Sequence, residues 1–499
     1  MIKSSTAIDL DTRLANPPVK AGVSPLVVTA PSHVVPTPRE RWISLQGEHH
    51  RTQTWAVVRR LLVLAGLAPL ALIIVLRLSR LSSTGLLGVY GVVVLLATIV
   101  IFFLAFGQYR DPAPRARGAA TRSGVAPLIS VFIPVKNEEH QIAACVGSVL
   151  QSTYPNMELW VINDGSTDGT DRILRRMAAR DQRIKLIRFR ESRGKKKALV
   201  YAARQAKGEY FVFTDSDCWL APDAIHRCID VMEADEDLGA VSGHARALNP
   251  DASLLTKMQD VWYDGQFAIA KAAESVFGSV TCVSGPLAVF RRSAVLNYLP
   301  AWSRDTFAGA PFLFATDRQL TAYVLGQEWV GQRLQRRYRR DPLVADETYE
   351  PRSWKVGYVR SARVWTLVPV SFRSYLRQSI RWKKSFLRNF AFNWRWIWRR
   401  GVGTAALFYG HALWVVLAPV MAVVHLVWAP LVGAPELTAL YVSGIAVKGF
   451  AWATAYRAQN PGDSRWRYRP FISMMSTLTL WWVILYSAMT IRKPVWARG

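Results

Sequence analysis

The sequence predicts an α/β domain, with a parallel-rich sheet and helices on both faces, inserted between transmembrane helices. Short β-rich runs alternate with helical patterns across residues 120–345, which is the order of a sheet built from strand–helix–strand units. Long apolar runs lie on either side of that region. One of them, residues 85–107, alone exceeds the ~20 residues that a helix needs to cross a bilayer. The 499-residue length accommodates both parts.

The composition favours a membrane-associated protein with anionic ligands. Lys and Arg number 63 against 35 Asp and Glu, giving a formal net charge of +28, and 51% of the residues are hydrophobic. Such a positive excess suits anionic lipid headgroups, nucleic acid or phosphate-bearing substrates. The apolar runs favour the membrane, and no motif indicates a nucleic-acid partner or an obligate protein partner. The four cysteines fit neither a zinc site nor a disulfide framework, so we expect reduced thiols in a cytosolic domain.

The N-terminal part is predicted to hold a tail and a helical hairpin. Residues 1–55 are polar and proline-rich, and we expect them to be disordered. Residues 56–108 contain two apolar runs, 61–76 and 85–107, joined by a short linker. They predict a transmembrane hairpin, and the arginines before and after it place both of its ends in the cytosol.

Three polar motifs follow predicted strands of the central domain. They are "PVKNEE" (134–139), "NDGSTDGT" (163–170) and "TDSDCW" (214–219). Ligands of open parallel sheets bind beyond the carboxyl ends of the strands, so the three motifs should meet at one rim. Asp215 and Asp217 could together bind a divalent cation that bridges the phosphates of a nucleotide. Each motif alone would also fit a turn or a helix cap; their combination favours the metal–nucleotide interpretation.

Residues 346–400 are predicted to form interfacial helices. Within "RQSIRWKKSFLRNF" (377–390), the spacing of Gln378, Arg381 and Trp382 puts these three side chains on one helix face, which we expect to look into the active site. The alternative is a helix that only anchors the chain to lipid. Other basic side chains of the helix are expected to meet anionic headgroups: Lys383, Lys384 and Arg388.

The C-terminal region is predicted to return to the membrane. Residues 401–456 are expected to form two transmembrane helices, and 457–499 a basic loop, an apolar segment and a tail. If the apolar segment 471–491 crosses fully, the tail lies outside, but the basic residues after it argue for the cytosol. We favour a cytosolic tail with 471–491 bent or interfacial. The alternative is a full crossing followed by a basic stop-transfer flank.

The run "VFIPVKNEE", "VINDGSTDGT" and "FTDSD" resembles the nucleotide-sugar domain of family 2 glycosyltransferases, which has a GT-A fold. Later motifs, "VSGPLAVFRRSAV" (283–295), "ATDRQLTAYVLGQ" (315–327) and "RQSIRW" (377–382), resemble the processive, membrane-embedded branch. That branch includes cellulose, chitin and hyaluronan synthases and nodulation chitooligosaccharide synthases. The combination is most similar to hyaluronan synthases, and the resemblance covers residues from about 60 to 499.

The resemblance implies a set of donor-binding residues. Asp164 would contact the uracil, and Lys195 would contact UDP. Asp215 would bind the UDP-sugar and, with Asp217, hold the cofactor, Mg²⁺ or Mn²⁺. The sequence departs from the family at Asn163, where the usual "DDGS" has its first carboxylate.

It also implies a base and an acceptor site. Asp317 matches the general base, although "ATD" stands where cellulose synthases have TED and hyaluronan synthases usually have GDD. Transfer needs such a base for the acceptor hydroxyl, and positive charge on the departing UDP. In the motif QxxRW, Arg381 would grip the diphosphate and Trp382 would shape the acceptor site. Two further residues would lie at the acceptor: Gln378 and Cys282.

The tail "VWARG" is similar to the gating loop of hyaluronan synthases, which is marked WGT followed by Arg or Ser, but the Thr is missing. We expect Trp496 and Arg498 to fold over bound UDP from the cytosolic side.

The expected function is a processive polysaccharide synthase of the plasma membrane, multi-pass, with a cytosolic catalytic domain. It would transfer sugar from UDP-GlcNAc and/or UDP-GlcA to a growing polysaccharide and secrete the product through its own helices. The alternatives are a chitin- or cellulose-type synthase, or a non-processive transferase with a lipid acceptor. A transporter or scaffold with a degenerate transferase domain is disfavoured, because the candidate base, the DxD and the arginine are all present.

Overall fold

The computed structural model describes the backbone of residues 56–79, 81–122, 124–314 and 316–493, and their side chains except at 56–60 and 76–88. The expected N-terminal tail lies outside the described residues. The described chain contains an eight-stranded sheet and a separate two-stranded sheet. The strands are β1 (Ile129–Val135), β2 (Met157–Asp164), β3 (Ile184–Phe189), β4 (Tyr210–Phe213), β5 (Cys218–Leu220), β6 (Leu238–Ala247), β7 (Ala288–Arg291), β8 (Thr306–Phe307), β9 (Ala310–Pro311) and β10 (Lys355–Thr366).

Helices surround this sheet and flank it at both ends of the chain. Before the first strand lie α1 (Ala56–Ser79), α2 (Leu81–Phe102) and α3 (Ala113–Ala116). The central helices are α4 (Ile142–Leu150), α5 (Thr170–Arg180), α6 (Lys195–Ala203), α7 (Ala224–Ala234), α8 (Leu254–Gly265), α9 (Ala272–Val276), α10 (Arg292–Val295), α11 (Leu299–Ser303), α12 (Thr316–Gly326), α13 (Gln332–Arg337) and α14 (Pro342–Ala345). After the last strand follow α15 (Phe372–Asn393), α16 (Val402–Val423), α17 (Ala429–Leu431), α18 (Pro435–Gln459), α19 (Arg469–Leu478) and α20 (Val483–Met489).

The large sheet has the strand order β3-β2-β1-β4-β7-β6-β10-β5. The first four strands are parallel, with Ile129 of β1 opposite Met157 on one side and Tyr210 on the other. β7 runs antiparallel to both of its neighbours, and β10 runs parallel to β6. Every residue of β1 and β2 is buried, as expected for strands covered by helices on both faces. The predicted fold class, a parallel-rich sheet with helices on both faces, is confirmed.

Strand β10 corrects the predicted boundary at residue 345. We predicted interfacial helices over 346–400, but Lys355–Thr366 lies inside the sheet, between β6 and β5. Its sequence "KVGYVRSARVWT" is rich in β-branched and aromatic residues, many of them buried, as is typical of a strand. Only Phe372–Asn393 of the predicted range forms a long helix.

Two helical segments in the described part of the chain are long and apolar enough to cross a membrane. The first, Val89–Thr121, begins within α2 and continues past α3, and the second, Val402–Leu431, comprises α16 and α17. A third span is possible if Ser464–Leu478 and Val483–Met489, which meet at a bend of 47°, form one crossing. These apolar helices indicate a membrane protein. The other predicted spans, including the one within α18, stay predictions.

The hydrophobic core of the sheet continues into the flanking helices. Phe102 at the end of α2 packs edge-on against Trp452 of α18, with ring centroids 5.4 Å apart. The Tyr109 hydroxyl donates to the backbone carbonyl of Tyr358 in β10, at 3.0 Å. One cluster of buried residues joins α1, α2, the sheet and α18. The sheet is therefore packed directly onto the helices that flank it.

Candidate active site

The loops after β1 and β2 brace each other at the rim of the sheet. The Asn137 backbone amide donates to Ser166 Oγ at 3.0 Å, and the Thr167 amide donates to Asn137 Oδ1 at 2.8 Å. The Gly169 amide donates to Glu139 Oε2 at 2.7 Å. Asn137 has φ of 54°, a left-handed conformation that Asn tolerates better than most residues. Several polar residues of the two motifs thus build the rim itself.

Asp164 organises the loop that leads into α6. Its carboxylate accepts hydrogen bonds from Ser192 Oγ at 2.8 Å and from the amides of Arg193 and Gly194 at 2.7 and 3.0 Å. Gly194 has φ of 85°, which favours glycine at that position. Because α6 begins at Lys195, directly after this loop, the Asp164 carboxylate helps to position the backbone of Lys195. Its contact with uracil stays a prediction.

Lys195 lies among three of the predicted carboxylates. Its ammonium forms an ion pair with Asp215. Burial alone would lower the pKa of Lys195, but Asp215, Asp317 and Asp217 together raise it above its usual value. The lysine is therefore held in its charged form. It lies where three segments converge: the loop after β3, the loop after β4 and the start of α12.

Asp215 and Asp217 follow β4 and offer a divalent cation two carboxylates. Their oxygens and Cys218 Sγ all lie within 4.8 Å of one another. Burial, together with Asp217 and Asp215, raises the pKa of the Cys218 thiol well above its usual value, so the sulfur stays protonated and is a poor ligand. Carboxylate oxygens are the ligands that Mg²⁺ and Mn²⁺ prefer. The pair fits such an ion, with Cys218 as a neighbour.

Asp317 lies in the first turn of α12 and faces the "CVSGP" loop. Its Oδ2 accepts a hydrogen bond from the Gly285 amide at 3.3 Å, and Cys282 Sγ donates to the same oxygen at 3.6 Å. Burial, and then Asp317, raise the pKa of the Cys282 thiol, which is consistent with a protonated donor. A Cβ atom at Gly285 would lie 2.7 Å from Asp215 Oδ2. Gly285 thus lets the candidate base and the candidate metal ligand approach the same loop.

The face of α15 that carries the QxxRW side chains is directed toward the candidate active site. Trp382 stacks on Trp262 of α8 and meets the edge of Tyr263. Burial raises the pKa of Tyr263; Asp217 raises it further and Arg381 opposes the rise, so Arg381 and Asp217 both lie near this ring. Gln378 Oε1 is buried and has no hydrogen-bond partner among the described residues. A buried acceptor without a donor is costly unless a ligand supplies one.

The other basic residues of α15 were expected at anionic headgroups, and for two of them this is wrong. Lys384 is fully buried and donates to the backbone carbonyls of Thr490 and Lys493, at 2.5 and 2.8 Å. Arg388 forms a two-pronged ion pair with Asp305, at 2.9 and 2.7 Å. The helix packs against both α12 and α20, so these two cations bind protein groups. An exclusively lipid-anchoring helix is therefore disfavoured.

Sequence reasoning missed the aromatic pair Trp262 and Tyr263. They lie in "DVWYDG" on α8, where an aromatic pair normally indicates a hydrophobic core. The available signal in the sequence was the pair of aspartates, Asp260 and Asp264, that flank the aromatic residues on the same helix. The structure shows that both are almost completely buried, so both need partners.

Those partners complete a charge cluster, consisting of Arg246, Asp260, Asp264, Asp463 and Arg465, in which the two α8 aspartates are buried and the other three side chains are partly exposed. Arg246 of β6 binds Asp260 at 2.6 Å and lies 3.6 Å from Asp264. Arg465 binds Asp260 at 3.0 Å and Asp463 at 2.7 Å. The charge cluster ties α8, with its aromatic pair, to the sheet and to the loop that follows α18.

The predicted gating residues Trp496 and Arg498, and Ala315 of "ATD", lie outside the described residues. The described chain ends at Lys493, whose carbonyl is bound by Lys384. Lys493 is therefore held against the QxxRW helix.

Comparison with known proteins gives matches in sequence and in structure. Residues 130–299 match the glycosyl transferase family 2 domain. An N-acetylglucosaminyltransferase of Rhizobium meliloti (strain 1021) is 31% identical over 307 residues, 59% of this chain and 66% of that protein. A hyaluronan synthase of Streptococcus pyogenes is 30% identical over 267 residues, 52% of this chain and 57% of that protein. The chain thus spans about three fifths of the length of these relatives.

Among solved structures, a mannosyltransferase from Pyrobaculum calidifontis in complex with GDP-Man and Mn²⁺ aligns with a TM-score of 0.45. It is 21% identical, and the alignment covers 81% of this chain and 99% of that one.

Proposed function

We propose that the protein is a processive, membrane-embedded polysaccharide synthase, a proposal supported by the match of residues 130–299 to the glycosyl transferase family 2 domain. It transfers sugar from UDP-GlcNAc and/or UDP-GlcA to a growing chain and secretes that chain across the plasma membrane. The observation that carries this proposal is the convergence of Asp215, Asp217 and Asp317 on Lys195. Similarity to both an N-acetylglucosaminyltransferase and a hyaluronan synthase supports the donor class.

The roles follow from the chemistry of the side chains. Asp317 takes the proton from the acceptor hydroxyl as that oxygen attacks the anomeric carbon of the donor. Lys195 and Arg381 place positive charge where negative charge grows on the departing UDP. A divalent cation held by Asp215 and Asp217 would supply further neutralisation of the diphosphate. Asp164 keeps the Lys195 loop in position for this step.

The acceptor side explains why the product would be retained. A sugar ring presents apolar C–H faces that stack on aromatic side chains, and the Trp382–Trp262 pair offers such a surface. Gln378 Oε1 accepts a hydrogen bond from a sugar hydroxyl, which satisfies its buried oxygen. A fixed platform beside apolar helices favours repeated transfer over a single transfer to a lipid. A chitin- or cellulose-type synthase remains the alternative polymer chemistry.

The deciding experiment uses the purified full-length chain in lipid nanodiscs. UDP-GlcNAc and UDP-GlcA are supplied singly and together, with Mn²⁺ or Mg²⁺, and both UDP release and product size are measured. Long product only from the mixture indicates an alternating polymer, and long product from UDP-GlcNAc alone indicates a chitin-type polymer. The Asp317→Asn variant should lose at least about 10²-fold in turnover while still binding UDP. Asp346→Asn, at an exposed aspartate outside the site, is the matched control.

Two outcomes would overturn the proposal. UDP release that requires added lipid, with a single sugar transferred, identifies the non-processive transferase. No UDP release from any donor identifies a degenerate domain.

A further inference from the structure

We propose that a groove lined by arginines, apart from the candidate active site, binds ligands that carry clustered phosphate groups. The groove is a cavity of about 550 Å³ at the surface of the sheet domain, and Tyr338 and Asp341 also line it. We call it the arginine groove, after its six arginines: Arg204, Arg304, Arg336, Arg337, Arg339 and Arg340.

Asp341 fixes two of these arginines in place. The carboxylate is buried and caps α14 by accepting a hydrogen bond from the Leu343 amide at 3.3 Å. Arg204 binds it at 3.2 Å and Arg304 at 2.8 Å, from two different segments of the chain. One carboxylate cannot neutralise two guanidinium groups, so the pair keeps a net positive charge. Because the anchor is rigid, less side-chain entropy is lost when a ligand binds.

The remaining four arginines are exposed, and across residues 81–122, 124–314 and 316–493 none of them pairs with a carboxylate. The lining of the cavity thus carries six positively charged guanidinium groups and a single negatively charged carboxylate. Like charges at this density repel one another, and a polyanion would relieve that repulsion. Guanidinium groups bind phosphate through two parallel hydrogen bonds, which makes clustered phosphates the ligand chemistry that fits best.

The arginine groove is separate from the candidate active site. Lys195 begins α6, whereas Arg204 directly follows its last residue, Ala203. At 1.5 Å per residue the nine-residue helix sets these two positions about 13 Å apart. Phosphate groups of this kind come either from a soluble polyphosphorylated molecule or from anionic lipid headgroups, and the experiment distinguishes the two.

The test titrates inorganic tripolyphosphate into the full-length protein in phosphatidylcholine nanodiscs, in metal-free buffer. The Arg336→Gln/Arg340→Gln variant should bind about 10-fold more weakly than wild type, since each lost arginine removes a charge-assisted hydrogen bond. The matched control, Arg176→Gln/Arg333→Gln, removes the same charge from exposed sites outside the groove and should bind as wild type does. Arg333 lies on the same helix as Arg336, so the control also tests for a nonspecific effect of α13.

A second arm repeats the wild-type titration in nanodiscs that contain phosphatidylglycerol. A loss of tripolyphosphate affinity there identifies lipid headgroups as the occupant, whereas unchanged affinity identifies a soluble ligand. Absence of binding to wild type, or equal weakening in the groove and control variants, overturns the proposal. Loss of UDP binding by the groove variant in Mn²⁺ would overturn the claim that the two sites are separate.

Discussion

Trp382 of α15 lies flat against Trp262 of α8, with ring centroids 5.4 Å apart and planes inclined by 13°. The two rings come from helices that are far apart in sequence, and Tyr263 closes the edge of the pair. The aromatic part of QxxRW is therefore half of a composite surface. The other half, Trp262, belongs to α8, which the charge cluster holds in place.

Replacing Trp262 should impair retention of the acceptor. Trp262→Leu removes the ring that supports Trp382, and an aromatic pair contributes about 0.5–1.5 kcal/mol beyond its buried area. We expect product length to fall roughly two- to tenfold, with UDP binding unchanged, as measured by gel electrophoresis of the polymer. Trp398→Leu, at a more exposed tryptophan, is the control. Full-length product from Trp262→Leu would contradict a platform at this pair.

Removing one candidate metal ligand should abolish the cation dependence of donor binding. Asp217→Ala leaves a single carboxylate, which binds a hard divalent ion weakly. Calorimetry should show UDP affinity rising on addition of Mn²⁺ for wild type and for the exposed-site control Asp251→Ala, but not for Asp217→Ala. An equal Mn²⁺ effect in all three proteins would show that the cation binds elsewhere.

Lys196 should make stability depend on pH. The side chain is buried beside Lys195 and donates to the Phe312 carbonyl at 2.8 Å and to Gln319 Oε1 at 2.5 Å. Burial lowers its pKa from 10.5 to about 7, with Asp305 opposing the shift and Arg388 adding to it. Between these two pH values the unfolded chain holds a proton that the folded chain has released. The free energy of unfolding therefore rises with pH over that interval, by on the order of 1–3 kcal/mol.

The measurement compares apparent unfolding midpoints between pH 7 and 9. Wild type should gain stability with pH relative to Lys196→Met, which has no titrating group there. Lys197→Met, at the exposed neighbour, should follow wild type. Parallel curves for wild type and Lys196→Met would contradict the lowered pKa.

Lys384 should hold the end of the chain against α15. Lys384→Met leaves the carbonyls of Thr490 and Lys493 without their donor. A fully buried carbonyl would lose about 1–3 kcal/mol in this way, and these two lose less, because Thr490 is half-buried and Lys493 is exposed to water. We expect faster proteolysis after residue 483 and reduced sugar transfer, with membrane insertion unchanged. Arg377→Gln, an exposed change on the same helix, should affect neither. Unchanged protease sensitivity would mean that α20 is held by its apolar packing alone.

The tail prediction concerns Trp496 and Arg498. Deletion of 495–499 should reduce turnover strongly while the protein still inserts, because the two side chains would add charge and exclude water at bound UDP. A Gly499→Cys variant, labelled from either side of sealed vesicles, determines where the tail lies. Labelling only from the extracellular side would end the gating hypothesis, whatever the activity of the deletion.

Local rules were sufficient for the rim of the site. Parallel strands deliver their last residues to one edge, so the motifs after β1, β2 and β4 could be placed together from sequence. The spacing of Gln378, Arg381 and Trp382 likewise fixes one helix face. Partners that are distant in the chain could not be found this way. Lys384 and Thr490 are 106 positions apart, and Arg388 and Asp305 are 83 apart, so their burial depends on tertiary packing. Strand β10 was missed for the same reason, because its partner residues in β6 lie far back in the chain, 117 positions away for the pair Leu238 and Lys355.

The charge cluster limits how this protein can be recombined. Asp260 and Asp264 come from the sheet domain, while Asp463 and Arg465 come from the loop after α18, and Arg246 contacts both sets. Losing one member of a fully buried ion pair leaves the other charge without a counterion, typically at a cost of about 3–5 kcal/mol. The cost here is smaller than that, because Asp463 and Arg465 are partly exposed. A chimera that joined this sheet domain to the helices of a relative would incur that cost unless the 463–465 loop were transferred with it. The sheet domain and the helices that follow it therefore have to be exchanged together, and domain swaps made at the boundary before residue 401 should yield unstable proteins.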